Sequence, residues 1–186
     1  MPTPLALRKT ALTILTATSL MTTPVMAAGS GSVTPPKPTQ TTKDCTNGQV
    51  WDEKTKACVD PQSGALNDDT LYGAVREFAY AGQYENAQNA LRAMSNQNDD
   101  RVLTYWGFTT RKMGNTLQGM VYYAGALEQN PDNILARSYL GQAFVEQKDM
   151  ESARAQLKEI RARGGKGTWA ETSLRRAIKS GQTKDY

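Results

Sequence analysis

The chain has 186 residues, with 22 Lys or Arg against 18 Asp or Glu, and no histidine. The missing imidazole removes the side chain best suited to proton transfer near neutral pH and the commonest metal ligand, which argues against an enzyme, a metal centre and a bound cofactor. Two of the basic residues, Arg8 and Lys9, lie in a segment read below as removed, so the rest is nearly balanced in charge and a nucleic-acid partner is excluded.

Residues 1–27 read as a signal peptide. Arg8 and Lys9 supply the basic start, residues 11–21 form a short apolar core diluted by Thr, and Val25-Met26-Ala27 precedes an expected cut between Ala27 and Ala28. That apolar run falls far below the roughly 20 residues that span a bilayer, and no later stretch is apolar enough. The expectation is a periplasmic or secreted protein with no transmembrane segment after signal removal. Neither cysteine lies at the cut, which argues against a lipid-modified N-terminus.

Residues 28–43 are rich in Gly, Ser, Thr and Pro and carry no hydrophobic period, so they read as a disordered linker. The Pro35-Pro36-Lys37-Pro38 run within it suits a plain spacer or a proline-reading groove.

Residues 44–61 read as a small β-hairpin. Asn47-Gly48 is a turn signal, residues 49–51 form one strand, residues 52–56 are polar turn material, and residues 57–59 return as the second strand. Two strands alone are marginal. In an oxidising compartment a Cys45–Cys58 bond closes a loop of about 14 residues and contributes on the order of 3 kcal/mol in the chain-entropy model. The spacing is too wide for a redox C-x-x-C pair, and two cysteines without histidine are too few for a structural zinc.

From residue 66 onward the hydrophobic period is helical. Leu71, Ala74, Val75 and Phe78 mark a first helix, with Asp68 as its expected N-cap; Tyr84, Ala87, Leu91 and Met94 mark a second. Leu103, Trp106, Gly107 and Thr110 form the next stripe. After a turn at Gly114-Asn115 come Gly119, Tyr123 and Ala126, and Pro131 ends that helix. A third pair carries Leu140, Gly141 and Phe144, then Met150, Ala153, Leu157 and Ile160. Gly107, Gly119, Tyr123, Ala126 and Pro131 fall at the same steps as Gly141, Ala153, Leu157, Ile160 and Gly165, a period of 34 residues. Such units cannot bury their apolar faces alone and must stack. Thr168 and Glu171 make a capping box for a seventh helix over residues 169–179, whose Trp169, Leu174 and Ile178 suit the covering of an array end.

This spacing resembles the tetratricopeptide repeat, on Leu103, Gly107, Gly114, Gly119, Ala126 and Pro131 above all. The resemblance spans residues 68–165 as three units, the first of them two residues shorter, with Val75 where a small residue is usual and Asp99 at its exit. It implies an all-α fold: a solenoid of antiparallel helix pairs, three pairs plus a C-terminal capping helix, over residues 66–181 and preceded by the disulfide hairpin. The hairpin itself, Cys-x-x-Gly-x-Val-Trp-Asp followed by Cys, resembles a pattern of exported bacterial proteins and, more loosely, peritrophin-type chitin-binding modules.

In the tetratricopeptide repeat family the first helix of each pair lines a concave groove. Carried onto this chain, the resemblance implies a ligand groove made by Tyr72, Arg76, Tyr80, Arg101, Phe108, Arg111, Lys112 and Gln142. Guanidinium groups bind carboxylates bidentately and rings supply apolar area, so such a groove suits an acidic protein or peptide. The same cations serve equally as a solvated helix face. The Lys and Asn set that docks chaperone tails in one branch of the family is not found. The leading expectation is therefore a non-enzymatic protein-interaction scaffold. The alternative is a cell-wall or carbohydrate-binding module acting through Trp51, whose ring offers a sugar-stacking face or packs on its own disulfide or the first helix. Glu77 and Glu146 are conceivable catalytic carboxylates, but no spacing supplies either with a partner.

Overall fold

The computed structural model describes Met1 and residues 34–183; the expected signal segment, with its cut at Ala27 and Ala28, lies outside the described residues. Among the described residues seven helices form the array. α2 (Asp68–Tyr80) pairs with α3 (Tyr84–Ala93), α4 (Asp100–Lys112) with α5 (Thr116–Gln129), and α6 (Ile134–Glu146) with α7 (Met150–Ala162), before α8 (Trp169–Ser180) closes the far end. Ahead of them come the helical turn α1 (Gln40–Lys43) and the strands β1 (Val50–Asp52) and β2 (Ala57–Val59).

Short polar side chains start most of these helices. Asp99, Asn115, Asn133 and Asp149 each accept a hydrogen bond from a backbone N–H two or three residues on, a contribution of about 1 kcal/mol per cap. The cap of α2 is Asn67, which accepts from Thr70 N at 2.8 Å, rather than the expected Asp68. Asp68 instead holds the end of the first pair, accepting from Ser95 N at 3.0 Å. At α8 only half of the capping box forms. Thr168 Oγ1 accepts from Glu171 N at 3.3 Å, whereas Thr168 N donates to the Gly165 carbonyl and the Glu171 carboxylate turns to Arg161.

The small residues read from the sequence sit at the α4–α5 crossing. A Cβ on Gly107 would stand 2.5 Å from the Tyr123 ring, and one on Gly119 would stand 2.8 Å from the Gly107 carbonyl. Leu103 and Trp106 complete that contact, Leu103 against Gly125 and Trp106 stacked on Tyr122 with ring centroids 6.0 Å apart. A second stripe on α4, made of Val102, Tyr105 and Phe108, is fully buried on the opposite side. The reason is position: α4 touches α2, α3, α5 and α6, and α6 likewise touches neighbours all round, so both are buried on more than one face.

Both ends of the array are covered. At the near end Val50 is buried in the main core, and Gln62 donates to the Asn89 carbonyl of α3 at 2.7 Å. The strands pair antiparallel with Trp51 opposite Cys58, and the Cys45–Cys58 disulfide closes the hairpin. Asn47 and Gly48 both take positive φ, 55° and 73°, as a type I′ turn requires. Gly48 also lies against Asn86, where a Cβ would come within 2.7 Å of its side-chain oxygen.

One boundary moves. The linker expected over residues 28–43 ends earlier, because α1 is folded against α2. Its anchor is the buried Glu77 carboxylate, which accepts from Thr39 N and Thr39 Oγ1 at 2.7 Å each, from Thr42 N at 3.0 Å, and from Thr42 Oγ1. Thr41, also buried, accepts from Trp51 N at 3.2 Å and ties the turn to β1. A polar segment without hydrophobic period thus finds its order in a carboxylate supplied by another element. That same bonding gives Glu77 a structural task in place of the catalytic one conceivable from sequence.

Candidate functional site

The first helices of the pairs stack on one another, α2 on α4, α4 on α6 and α6 on α8, and form one wall of the array. The residues expected along that wall fall into two groups. Tyr72, Arg76 and Arg101 gather where α2 and α4 meet. Tyr72 is buried with its ring edge-on to Tyr105, and the guanidinium carbons of Arg76 and Arg101 lie 5.9 and 5.0 Å from its centroid. Burial pushes its phenol well above the usual range, so it stays neutral. Arg101 is held by Asp99 at 3.2 Å and by Asp69 at 3.3 Å, and the Asp99 carboxylate raises the guanidinium pKa further. Arg76 donates to the Thr34 carbonyl.

The second group joins Tyr80, Phe108, Arg111 and Lys112. Tyr80 stacks on Phe108 at 6.3 Å, and the Arg111 guanidinium carbon and Lys112 Nζ lie 5.9 and 6.0 Å from the Phe108 centroid. Arg111 is buried. Its Nε donates to Tyr123 Oη at 3.3 Å and its Nη1 pairs with Glu146, at the end of α6. Glu146 also accepts from Thr116 Oγ1 and, at 2.6 Å, from Thr183 Oγ1, so this carboxylate too is a tie between elements. Gln142 joins neither group: it is buried between α6 and α8, with Nε2 donating to Ser138 Oγ at 3.4 Å and to Ser173 Oγ at 3.2 Å. Phe108 and Arg111 therefore form the floor of the wall, while Arg76, Tyr80, Arg101 and Lys112 remain half-exposed.

Two rings stand on the wall where the sequence reading did not place them. Tyr139 packs 4.8 Å from Phe108 with its hydroxyl 3.4 Å from that of Tyr80, and Trp169 packs 6.2 Å from Tyr139 and 6.1 Å from Tyr80. Tyr139 repeats Tyr105 at the 34-residue period, a signal present in the sequence. Trp169 was expected to help cover the array end; it also reaches along the wall as far as α2.

Trp51 lies elsewhere. It is half-buried on a cleft of about 470 Å³ between the segment before α1, the hairpin and α2, with Glu53, Asp69 and Arg76 at its edge. Its indole N–H donates to Glu53 at 3.1 Å.

This geometry is that of a helix-pair repeat array with capped ends. Among known families, the tetratricopeptide repeat matches residues 111–171, from the end of α4 to the start of α8, so this stretch is similar to tetratricopeptide repeats. Modules of this family are typically non-catalytic and serve as protein-interaction scaffolds. Comparison with curated proteins finds no match, and neither does comparison with solved structures.

Proposed function

We propose that this chain is an exported scaffold that binds an acidic segment of a partner protein along the wall of first helices. The observation that carries the reading is the half-exposed Lys112 beside the rings of Phe108 and Tyr80. An acidic side chain gains charge-assisted hydrogen bonds there while an adjacent apolar group gains ring contact. The Cys45–Cys58 bond suits an oxidising compartment, and no helix among the described residues is long and apolar enough to cross a membrane.

Lys112 is a cleaner probe than Arg111, since replacing a buried paired Arg leaves Glu146 without its cation and costs stability. The test is fluorescence anisotropy with short peptides rich in Asp and Glu, each matched by its Asn and Gln counterpart. Acidic peptides bind preferentially, and Lys112→Glu weakens them about 10-fold whereas Lys158→Glu on α7 does not. Raising the salt weakens the acidic set alone. Equal affinity for the neutral peptides, or indifference to Lys112→Glu, refutes the reading.

The cleft at Trp51 supports a second one, a site for a cell-wall glycan. An aromatic wall with carboxylates and a guanidinium at its edge matches the mixed apolar and polar lining of small-ligand sites. Retention on insoluble peptidoglycan or chitin that is lost in Trp51→Ala and kept in Lys112→Glu favours it over the first.

A further inference from the structure

Charge is distributed unevenly along the array. Residues 34–100 carry six Lys or Arg against ten Asp or Glu, whereas residues 150–183 carry eight against three. Two of those three acids are already engaged. Glu159 pairs with Arg163 at 2.8 Å, and the buried Glu171 takes Arg161 at 2.7 Å and Arg175 at 3.6 Å. The third, Glu151, lies in the first turn of α7.

The shared Glu171 sets the end of α7 against the start of α8. Ile160 clusters with Ala170 and Leu174, and Ala153 with Ala177, so the two helices run antiparallel in contact. Arg154, Lys158 and Arg161 follow at steps of four and three and share one face of α7, as Arg175 and Lys179 share one face of α8. These faces meet at Glu171, and the five exposed cations line the α7–α8 seam. Lys166 in the connection and Arg176 on α8 are exposed beside them. Among the described residues Arg154, Lys158, Lys166, Arg176 and Lys179 make no ion pair.

We propose that this basic end adsorbs to a bilayer surface of anionic phospholipid, with the α7–α8 seam facing the headgroups. Two observations favour a lipid surface over an acidic protein. None of the large hydrophobic side chains exposed among the described residues lies on α7 or α8, so the seam offers cations without the anchor that protein interfaces use. The excess of acids lies in the opposite part of the chain, from the hairpin to the start of α4. A charged plane repels that part while attracting the seam, and so turns the molecule basic end first, whereas a short peptide samples only a few charges. Among the described residues no helix is long and apolar enough to cross a bilayer, and the contact is electrostatic and reversible. Each Lys or Arg brought to such a surface strengthens adsorption about 5-fold. The inference does not depend on the peptide-binding reading, because Lys112 on α4 lies outside the seam.

The test is flotation of the chain begun at Ala28, which retains every described residue but Met1, with vesicles of phosphatidylcholine alone or with about 30% phosphatidylglycerol. Lys158 and Lys179 are exposed and outside any ion pair, so their reversal leaves the helical circular dichroism as in the parent. Binding to the anionic vesicles alone is expected, and it is lost as salt rises from about 0.05 to 0.5 M. Lys158→Glu and Lys179→Glu each weaken it about 20-fold, while Lys112→Glu, with the same change in net charge, weakens it less than about 3-fold. No flotation at millimolar lipid overturns the proposal, as does equal flotation with neutral vesicles or a loss on Lys112→Glu as large as on Lys158→Glu. A chain that ignores the vesicles but binds a peptide rich in Asp and Glu, and loses it in Lys158→Glu, makes the seam a protein site and overturns the proposal too.

Discussion

Gly107→Ala tests whether the α4–α5 crossing is set by distance. The added Cβ would lie 2.5 and 2.6 Å from two carbons of the Tyr123 ring and 3.0 Å from the Gly119 carbonyl. Ordinary carbon contacts are about 3.5 to 4.0 Å, so about 1 Å must be found. The ring has nowhere to go: Tyr123 is fully buried, its hydroxyl takes the Arg111 Nε hydrogen bond, and its other side packs on Tyr139 at 6.1 Å. The helices must move apart, and overpacking of this kind costs about 1 to 3 kcal/mol. Alanine returns about 1 kcal/mol through helix propensity, which leaves a net loss of about 0 to 2 kcal/mol. Gly125→Ala on α5 is the control. Its Cβ would meet only Leu103 Cδ1 at 3.6 Å, an ordinary contact, so propensity acts alone and the variant gains about 0.5 to 1 kcal/mol. Urea unfolding followed by circular dichroism measures both, and the midpoint of Gly107→Ala must lie below that of Gly125→Ala. Should Gly107→Ala match or exceed Gly125→Ala in stability, the close-approach argument fails.

Replacing both cysteines by serine removes the Cys45–Cys58 closure and is expected to cost about 2 to 3 kcal/mol in the near-end cap, read as faster proteolysis of residues 39–61 while the helical signal of the array persists; unchanged protection would show that the hairpin holds without its bond. Glu77→Ala removes the acceptor of four hydrogen bonds, so tryptic cleavage after the exposed Lys43 is expected to quicken at least about 10-fold, and an unaltered rate would contradict the anchoring role. The Arg161 hydrogen bond, with Arg175 nearby, holds Glu171 below its ordinary value of 4.5. A lowered folded value means that the pair contributes fully above that pH and fades as the pH falls through the folded value. Since Arg161 is half in solvent, the advantage over Glu171→Gln is set at about 1 kcal/mol, present at pH 7 and smaller at pH 3; an advantage that grows on acidification speaks against the assignment.

The helix pairs were legible because their spacing is written in single residues. Gly107 and Gly119 mark a crossing that admits no side chain, and turn and cap residues recur between the helices. What a one-dimensional stripe does not carry is the number of neighbours a helix acquires. Arg111 and Gln142 lie on the wall of first helices as the register implies, yet α4 and α6 are enclosed on several sides, which turns Arg111 into a tie to Glu146 and Gln142 into a tie to Ser173. The order of residues 39–43 was hidden for a different reason. Its hydrogen-bond acceptor, Glu77, lies 35 to 38 residues away, and no local composition announces it.

The two end caps reveal which surfaces an array of three pairs leaves for recognition. α8 covers the far end by burial, placing Ala170, Leu174 and Ala177 against the last pair. The near-end cap has far less apolar material: Val50 is the hairpin's buried hydrophobic side chain among the described residues of the main core. Two strands with so small a core are marginal, and the disulfide together with the Glu77 bonds supplies what burial does not. An end held in this way is closed to stacking by further repeats, which leaves the sides of the array uncovered. On one side the wall of first helices sets half-exposed cations beside rings; elsewhere α5 exposes Leu117 and Val121.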